Sequence, residues 1–457
     1  MFGRFSGSEN YRITLTSDVC FRLITFRLCN SDHLLTQVTS NQSDQSLWSN
    51  LNFRKLLLSG MLLEVMRQFE TLAIAVFVFQ KTGNAFYVAM MLFVQRVPLI
   101  PFGLVFGVVA DRFNRKTIFV LIFAVLATEA AILGRLASQD RLEIWHVGIG
   151  VFINGVIWTT DFSVRRPMLA ESVGDSRVGR AVGLDGALMI SALALGPVIG
   201  GGILQLAGMQ GVYFFGAGAY LVGGILALTV KYQRPIKAIR RPSFVSDFRT
   251  AISYARSRRI IIGILAVTVI VDLWATPIRS MIPVIGKGEL GLTPLLVGVL
   301  VSSQGIGSLI GAAVIAFRGD PKKYGRIYMY GSFLYLIPAL LFSLSDWFAM
   351  SLPLVFIGGL GLAAFSATQS ALVLMASPPE MRSRMLGLLA VGIGIGPLGI
   401  LNIGLMATLY GAPNAVTIVS IEGLIALVIA AWLWPTLRRG ENVSPPESTS
   451  KPNIELP

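Results

Sequence analysis

Charge is scarce in this 457-residue chain: 14% of it is Asp, Glu, Lys or Arg, against roughly a quarter in a soluble domain. That shortage argues against a soluble enzyme. Cysteine is scarcer still, with only Cys20 and Cys29, too few for a disulfide framework or a zinc site. The two histidines, His33 and His146, supply no metal constellation. The glycine-lysine pair in GKGELG (286–291) is not followed by Ser or Thr as a phosphate loop requires, and GIGIG (392–396) sits inside an apolar span with no strand before it. Neither nucleotide binding nor a cofactor has support. No nucleophile, base and oxyanion grouping appears either, so the chain is not read as an enzyme.

What is abundant is apolar: 54% of the residues, with 47 glycines and 27 phenylalanines, at a mean hydropathy of +0.69. From about residue 56 an apolar run of some 20 residues repeats, each followed by a short break. A helix rising about 1.5 Å per residue needs about 20 residues to cross a ~30 Å hydrocarbon layer. Twelve such spans are expected, at about 56–80, 85–110, 116–137, 144–164, 180–207, 211–231, 260–285, 294–317, 325–344, 349–374, 384–409 and 414–435. The net charge of +14 lies between these runs and not on a nucleic-acid surface. Arg112, Arg115 and Lys116 follow span 2; Arg165, Arg166, Arg177 and Arg180 follow span 4; Arg318, Lys322, Lys323 and Arg326 follow span 8. The alternate breaks hold almost no basic residues, which places both termini in the cytoplasm of a cell membrane.

The basic stretch 232–259 divides the spans six and six. The expected organisation is therefore an N-terminal extension (1–50), a first six-helix bundle (51–231), a cytoplasmic linker (232–259), a second bundle (260–437) and a cytoplasmic tail (438–457). Residues 246–259 suit either an amphipathic surface helix or a solvated linker. The extension is polar and reads as disordered, and a start of translation at Val38 fits the lead-in to span 1. A shift of 209 aligns Gln95 with Gln304 and Asp111 with Asp320, and a shift of 200 aligns Gly196 and Pro197 with Gly396 and Pro397. These matches support two parallel repeats with a site between them.

GVVADRFNRK (107–116) matches the GxxxDRxxRK pattern between spans 2 and 3 of the major facilitator superfamily, and the resemblance covers essentially the whole chain. It implies an all-α transmembrane fold of twelve helices in two pseudo-symmetric bundles. It also implies a gate of Gly107, Asp111, Arg112, Arg115 and Lys116, in which Asp111 pairs with Arg165 or Arg166 and faces a helix N-terminus near Ser383. In the second half RGDPKKYGR (318–326) keeps Asp320 but puts Pro321 where the arginine would stand. ALALGPVIGG (192–201), with Gly196, Pro197, Gly200 and Gly201, resembles the span 5 motif of exporters in the superfamily. NFRKLLLSG (52–60), KTGN (81–84) and RRPMLAESVGDSRVGRAVGL (165–184) resemble the group containing enterobactin and macrolide exporters. Two departures stand out: Arg67 replaces an expected acidic residue, and span 4 lacks the mid-membrane arginine of drug and proton antiporters.

Ionisable residues inside spans are costly and are functional candidates by default. Glu64, Arg67 and Glu70, three residues apart, share a helical face on which Arg67 can pair with both carboxylates. Opposite them the family fold places Asn154, Trp158 and Asp161 on span 4, Asp272 and Trp274 on span 7, and Gln369 on span 10. For Asp161 the competing reading is a pair with Arg165, one turn on. Arg96, Glu129, Asp185, Arg279 and Glu422 read as structural. The resemblance implies a monomeric secondary transporter in the lipid bilayer that exports an amphipathic small molecule against protons, with Glu64 or Glu70 as carrier. The alternatives are an importer or facilitator, or a non-transporting membrane partner.

Overall fold

The computed structural model describes residues 47–99, 102, 113–174, 177–232 and 244–440, and these are almost entirely helical. The helices in chain order are α1 (Leu51–Thr82), α2 (Ala85–Arg96), α3 (Arg115–Ser138), α4 (Ile144–Ser163), α5 (Arg165–Glu171), α6 (Val178–Leu228), α7 (Phe244–Ser257) and α8 (Arg259–Ile270). They continue as α9 (Ile282–Gly288), α10 (Pro294–Arg318), α11 (Tyr324–Ser343), α12 (Phe348–Met375), α13 (Arg382–Ile393), α14 (Gly396–Tyr410), α15 (Ala412–Leu433) and α16 (Pro435–Arg439). Among the described residues nine helical stretches are long and apolar enough to cross a membrane. The 32-residue α1 is longer than most of these, but Glu64, Arg67 and Glu70 make it too charged to be one of the nine.

The breaks fall where the backbone requires them. The 51-residue α6 is two helices, because Gly208 inside it has φ 63° and ψ −167°, a conformation that a side chain disfavours and glycine adopts freely. That is the break expected between spans 5 and 6. α1 gives way to α2 at Gly83, and Asn84 caps α2 by accepting a hydrogen bond from the Phe86 amide at 2.8 Å.

Two stretches are irregular within their spans. After α8 the helix widens to a π-turn at Val271–Ala275 and tightens to a 3-10 turn at Thr276–Ser280 before α9. Pro277 lies in this stretch and has no backbone N–H to give. α13 and α14 are parts of one expected span, interrupted around Gly394 and Ile395. The two irregular stretches meet, since Gly396 lies beside the Asp272 backbone and the missing side chain of Gly399 leaves room for the Leu273 carbonyl.

α10 packs between α6 and α12, α3 lies along α6, α14 lies against α2, and α11 joins α12 and α15. The stretch between the halves forms a helix over Phe244–Ser257, with Ala251 and Ala255 buried. α7 rests on α13 and α8.

Candidate functional site

Glu64 and Arg67 form a salt bridge one turn apart on α1, and the Arg67 Nε also donates to Glu64 Oε2 at 3.1 Å. The Arg67 guanidinium lies 4.9 Å from the Trp158 ring centre on α4, and Arg96 of α2 lies 5.3 Å from the same ring. Trp158 thus lies within reach of two cations, each favoured by the negative face of the indole. Glu64 is buried, and its charge is matched by Arg67.

Glu70 does not join that pair. The expectation that Arg67 would bridge both carboxylates is corrected, because Glu70 turns to other helices. The Tyr220 hydroxyl on α6 donates to Glu70 Oε1 at 2.9 Å, and the Asn154 amide on α4 donates to Oε2 at 3.4 Å. Glu70 is 4% exposed and forms no ion pair among the described residues. Gly216 opposes it, where a β-carbon would approach Oε1 to 3.1 Å. Sequence reasoning missed Tyr220, which is an unremarked aromatic in an apolar run until the fold brings it 150 residues back to α1.

The remaining candidates divide among three places. Asp161 belongs to a buried ion cluster: Arg165 Nη2 donates to Asp161 Oδ2 at 2.9 Å, and Arg165 Nη1 to Asp185 Oδ1 at 2.6 Å. Arg166 Nε stands 3.7 Å from Asp161 and 3.6 Å from Asp185. Arg165 is fully buried, and the absent side chain of Gly60 gives its guanidinium the space it occupies. Its Nε, Nη1 and Nη2 all face carboxylates of this cluster. Asp161 therefore joins Arg165 as the competing reading expected, and leaves the Glu64, Arg67 and Glu70 group.

Gly107, Asp111 and Arg112 lie outside the described residues. Arg115 is described, and its Nη1 donates to Glu171 Oε1 at 2.9 Å while the Tyr232 hydroxyl donates to Glu171 Oε2 at 2.8 Å. This clamp joins the start of α3 to the end of α5 and to the residues after α6. Burial raises the Tyr232 phenol above its ordinary value, and the bond to Glu171 and the charge of that carboxylate raise it further. Lys116 donates its backbone N–H to Asn114 at 3.0 Å, starting α3.

Asp272 is buried at the π-turn. Thr276 donates to its Oδ1 at 3.4 Å, and Oδ2 has no hydrogen-bond partner among the described residues. Arg96 is near enough to act on it electrostatically. Gln369 on α12 donates to Thr268 at 3.0 Å, and the Thr268 hydroxyl also bonds the buried Tyr328 hydroxyl at 2.8 Å. Trp274 points away from this group and donates to Glu422 on α15 at 3.0 Å, which corrects its placement opposite α1.

The glycines of the 192–201 motif let α6 approach two helices at once. A β-carbon at Gly196 would meet Gln68 at 2.5 Å and one at Gly200 the Phe69 carbonyl at 2.7 Å, both on α1. One at Gly201 would meet the Pro294 carbonyl of α10 at 2.3 Å, and α10 returns the contact with Gly298, where a β-carbon would stand 2.4 Å from the Pro197 carbonyl. The Val198 amide donates to Ser302 of α10 at 3.0 Å. Other bonds join the regions before residue 232 and after residue 258: Arg279 donates to Gln68 at 2.8 Å, the Leu295 amide to Gln205 at 3.2 Å, and Thr408 to Asn84 at 3.0 Å.

A family model described as transmembrane secretion effector matches residues 46–456. Macrolide efflux protein A of Streptococcus pyogenes is 21% identical over 351 residues, covering 74% of this chain and 85% of that protein. The multi-drug resistance efflux pump PmrA of Streptococcus pneumoniae is 24% identical over 265 residues, covering 56% of this chain and 63% of the pump. Among solved structures, a mutant of the nucleoside transporter NupG superposes with a TM-score of 0.66 at 12% identity, over 84% of this chain and all of the other. A bacterial homolog of the human lysosomal transporter Spinster, in an inward-facing and unoccupied conformation, gives 0.65 at 13% identity over 85% and 97% of the two chains.

Proposed function

The chain belongs to the transmembrane secretion effector family of the major facilitator superfamily, and from that premise we propose that it exports an amphipathic small molecule in exchange for protons, with Glu70 as the proton carrier. One observation carries the choice of Glu70. It is buried, and its two oxygens are held by the neutral donors Tyr220 and Asn154. A carboxylate held in this way can take up or release a proton without breaking an ion pair, whereas Glu64 would have to leave Arg67. The named activity of the efflux relatives supports the direction and the substrate class.

Substrate would bind between the two six-helix bundles, near Arg67, Trp158, Arg96 and Asp272. The bonds Asn84–Thr408, Gln205–Leu295 and Val198–Ser302 then close the extracellular end, with both termini in the cytoplasm. The Asp111 loop, with Arg112, Arg115, Lys116 and Arg166, forms the opposing cytoplasmic gate. Alternating access requires the two closures to exchange.

The test uses inside-out vesicles with an imposed proton gradient and a panel of macrolides, catecholate siderophores and amphipathic dyes. The expected result is that particular compounds dissipate the gradient, and that Glu70→Gln abolishes pH-driven transport while retaining substrate counterflow. Unchanged pH-driven transport in Glu70→Gln would remove this residue from the mechanism.

A further inference from the structure

A groove of about 600 Å³ runs between α7, α8 and α15, within the range of small-ligand sites. Ile252 and Ala255 of α7, Ile262 and Val269 of α8, and Ile429 and Leu433 of α15 supply its apolar walls. Ile262, Ile429 and Leu433 are exposed, so in a membrane the opening faces lipid. Trp434 also lines the groove, its ring laid on α8 by the missing side chain of Gly263.

The two ends of the groove differ. Arg259 begins one of the stretches apolar enough to cross a membrane and Leu433 ends another, and the Arg259 Nη2 donates to the Leu433 carbonyl at 3.1 Å. This end therefore lies at the level of lipid head groups, whereas Val269 stands about 15 Å farther along α8, in hydrocarbon. Arg256 is the charged residue in the groove lining; its side chain is exposed and forms no ion pair or hydrogen bond among the described residues. Arg258 lies 5.9 Å from the Tyr254 ring centre, and no acidic residue occurs between residues 248 and 262. An uncompensated basic cluster thus stands at the head-group end of an apolar channel.

We infer that this groove is a binding site for one anionic phospholipid, with an acyl chain along α8 and the phosphate at Arg256. Charge complementarity selects the anionic lipid over a zwitterionic one, whose choline would bring a further positive charge beside Arg256, Arg258 and Arg259. Bound there, the lipid joins α7 to α8 and α15 and fastens the stretch between the halves to the second half. The site lies apart from Glu70 and is measured by binding alone, so it stands or falls independently of proton-coupled export.

The test uses Trp434 as a reporter on the groove wall. The full chain is placed in phosphatidylcholine nanodiscs with increasing fractions of phosphatidylglycerol brominated on its acyl chains, and the part of the fluorescence quenching that Trp434→Phe removes is followed. Phosphatidylcholine with the same brominated chains is the comparison. Arg256→Gln removes the charge at an exposed position, Ala426→Phe fills the groove and keeps the charge, and Lys322→Gln removes an exposed basic residue elsewhere. Support requires that this quenching saturate at a lower fraction of phosphatidylglycerol than of phosphatidylcholine and be lost in Ala426→Phe. It must also need about fivefold more phosphatidylglycerol in Arg256→Gln and stay unchanged in Lys322→Gln. Equal quenching by the two lipids, no quenching of Trp434, indifference to both groove variants, or equal weakening in Lys322→Gln overturns the site.

Discussion

Arg165 carries the clearest consequence at the scale of a single residue. It is buried with Asp161 and Asp185 against Gly60, and removing one partner of a buried ion group leaves the others uncompensated, typically at about 3–5 kcal/mol. Arg165→Met should therefore destabilise the protein strongly, and adding Asp161→Asn and Asp185→Asn should recover much of the loss, both read as thermal unfolding in detergent. Arg166, partly exposed and farther from both carboxylates, should cost much less when replaced. Arg165 and Asp161 were legible in the sequence as an i, i+4 pair. Asp185 was not placed with them, since nothing in its own segment shows that α6 passes beside α4. Tyr232 makes a pH-dependent prediction. Its folded-state pKa lies above the ordinary value of 10.0, so the folded protein holds the phenolic proton more tightly than the unfolded chain. That contribution is complete below the ordinary value and fades as pH rises through the folded one. The wild type should unfold at a higher temperature than Tyr232→Phe near neutrality, and the gap should close in strong alkali.

At the scale of elements, the Gly-Pro pair shared by spans 5 and 11 was visible as a 200-residue repeat, and both copies lie at close helix contacts. Gly196 lets α6 lie on α1, and in the second copy Gly399, two residues beyond Pro397, lets α14 lie on the segment after α8. The details differ: α6 continues through Pro197, whereas the second copy is interrupted ahead of Gly396. Sequence could not separate these outcomes, because the interruption depends on what faces it, here the irregular turn around Asp272. The same motif predicts where close packing is least forgiving. A β-carbon at Gly298 would already stand 2.4 Å from the Pro197 carbonyl, so Gly298→Leu must push α10 off α6. Overpacking of this kind costs about 1–3 kcal/mol. The expected result is a lower unfolding temperature together with a longer spin-label distance between positions 205 and 295; an unchanged distance would show that the seam absorbs the side chain locally.

For the whole molecule, apolar periodicity was enough to read a helical membrane protein, since about 20 apolar residues per run reflect a fixed bilayer thickness. The candidate site was only partly legible for a related reason. Helical spacing puts Glu64, Arg67 and Glu70 on one face, but their partners Trp158, Asn154 and Tyr220 arrive from α4 and α6. Local spacing says which side chains share a face and not what that face meets, so Glu70 was paired with its neighbour instead of with Tyr220. The proposed exchange between two closures is testable, because one of them can be held by a covalent bond. Thr408 donates directly to Asn84 across the seam between α14 and the start of α2. Cysteines at both positions, in a chain with Cys20 and Cys29 replaced by serine, should therefore cross-link on mild oxidation. If the extracellular end must open for release, oxidation should stop export in vesicles and reduction should restore it, while substrate binding from the cytoplasmic side persists. A fully cross-linked protein that still exports would show that release does not pass between α2 and α14, and would move the exit path to another seam of the bundle.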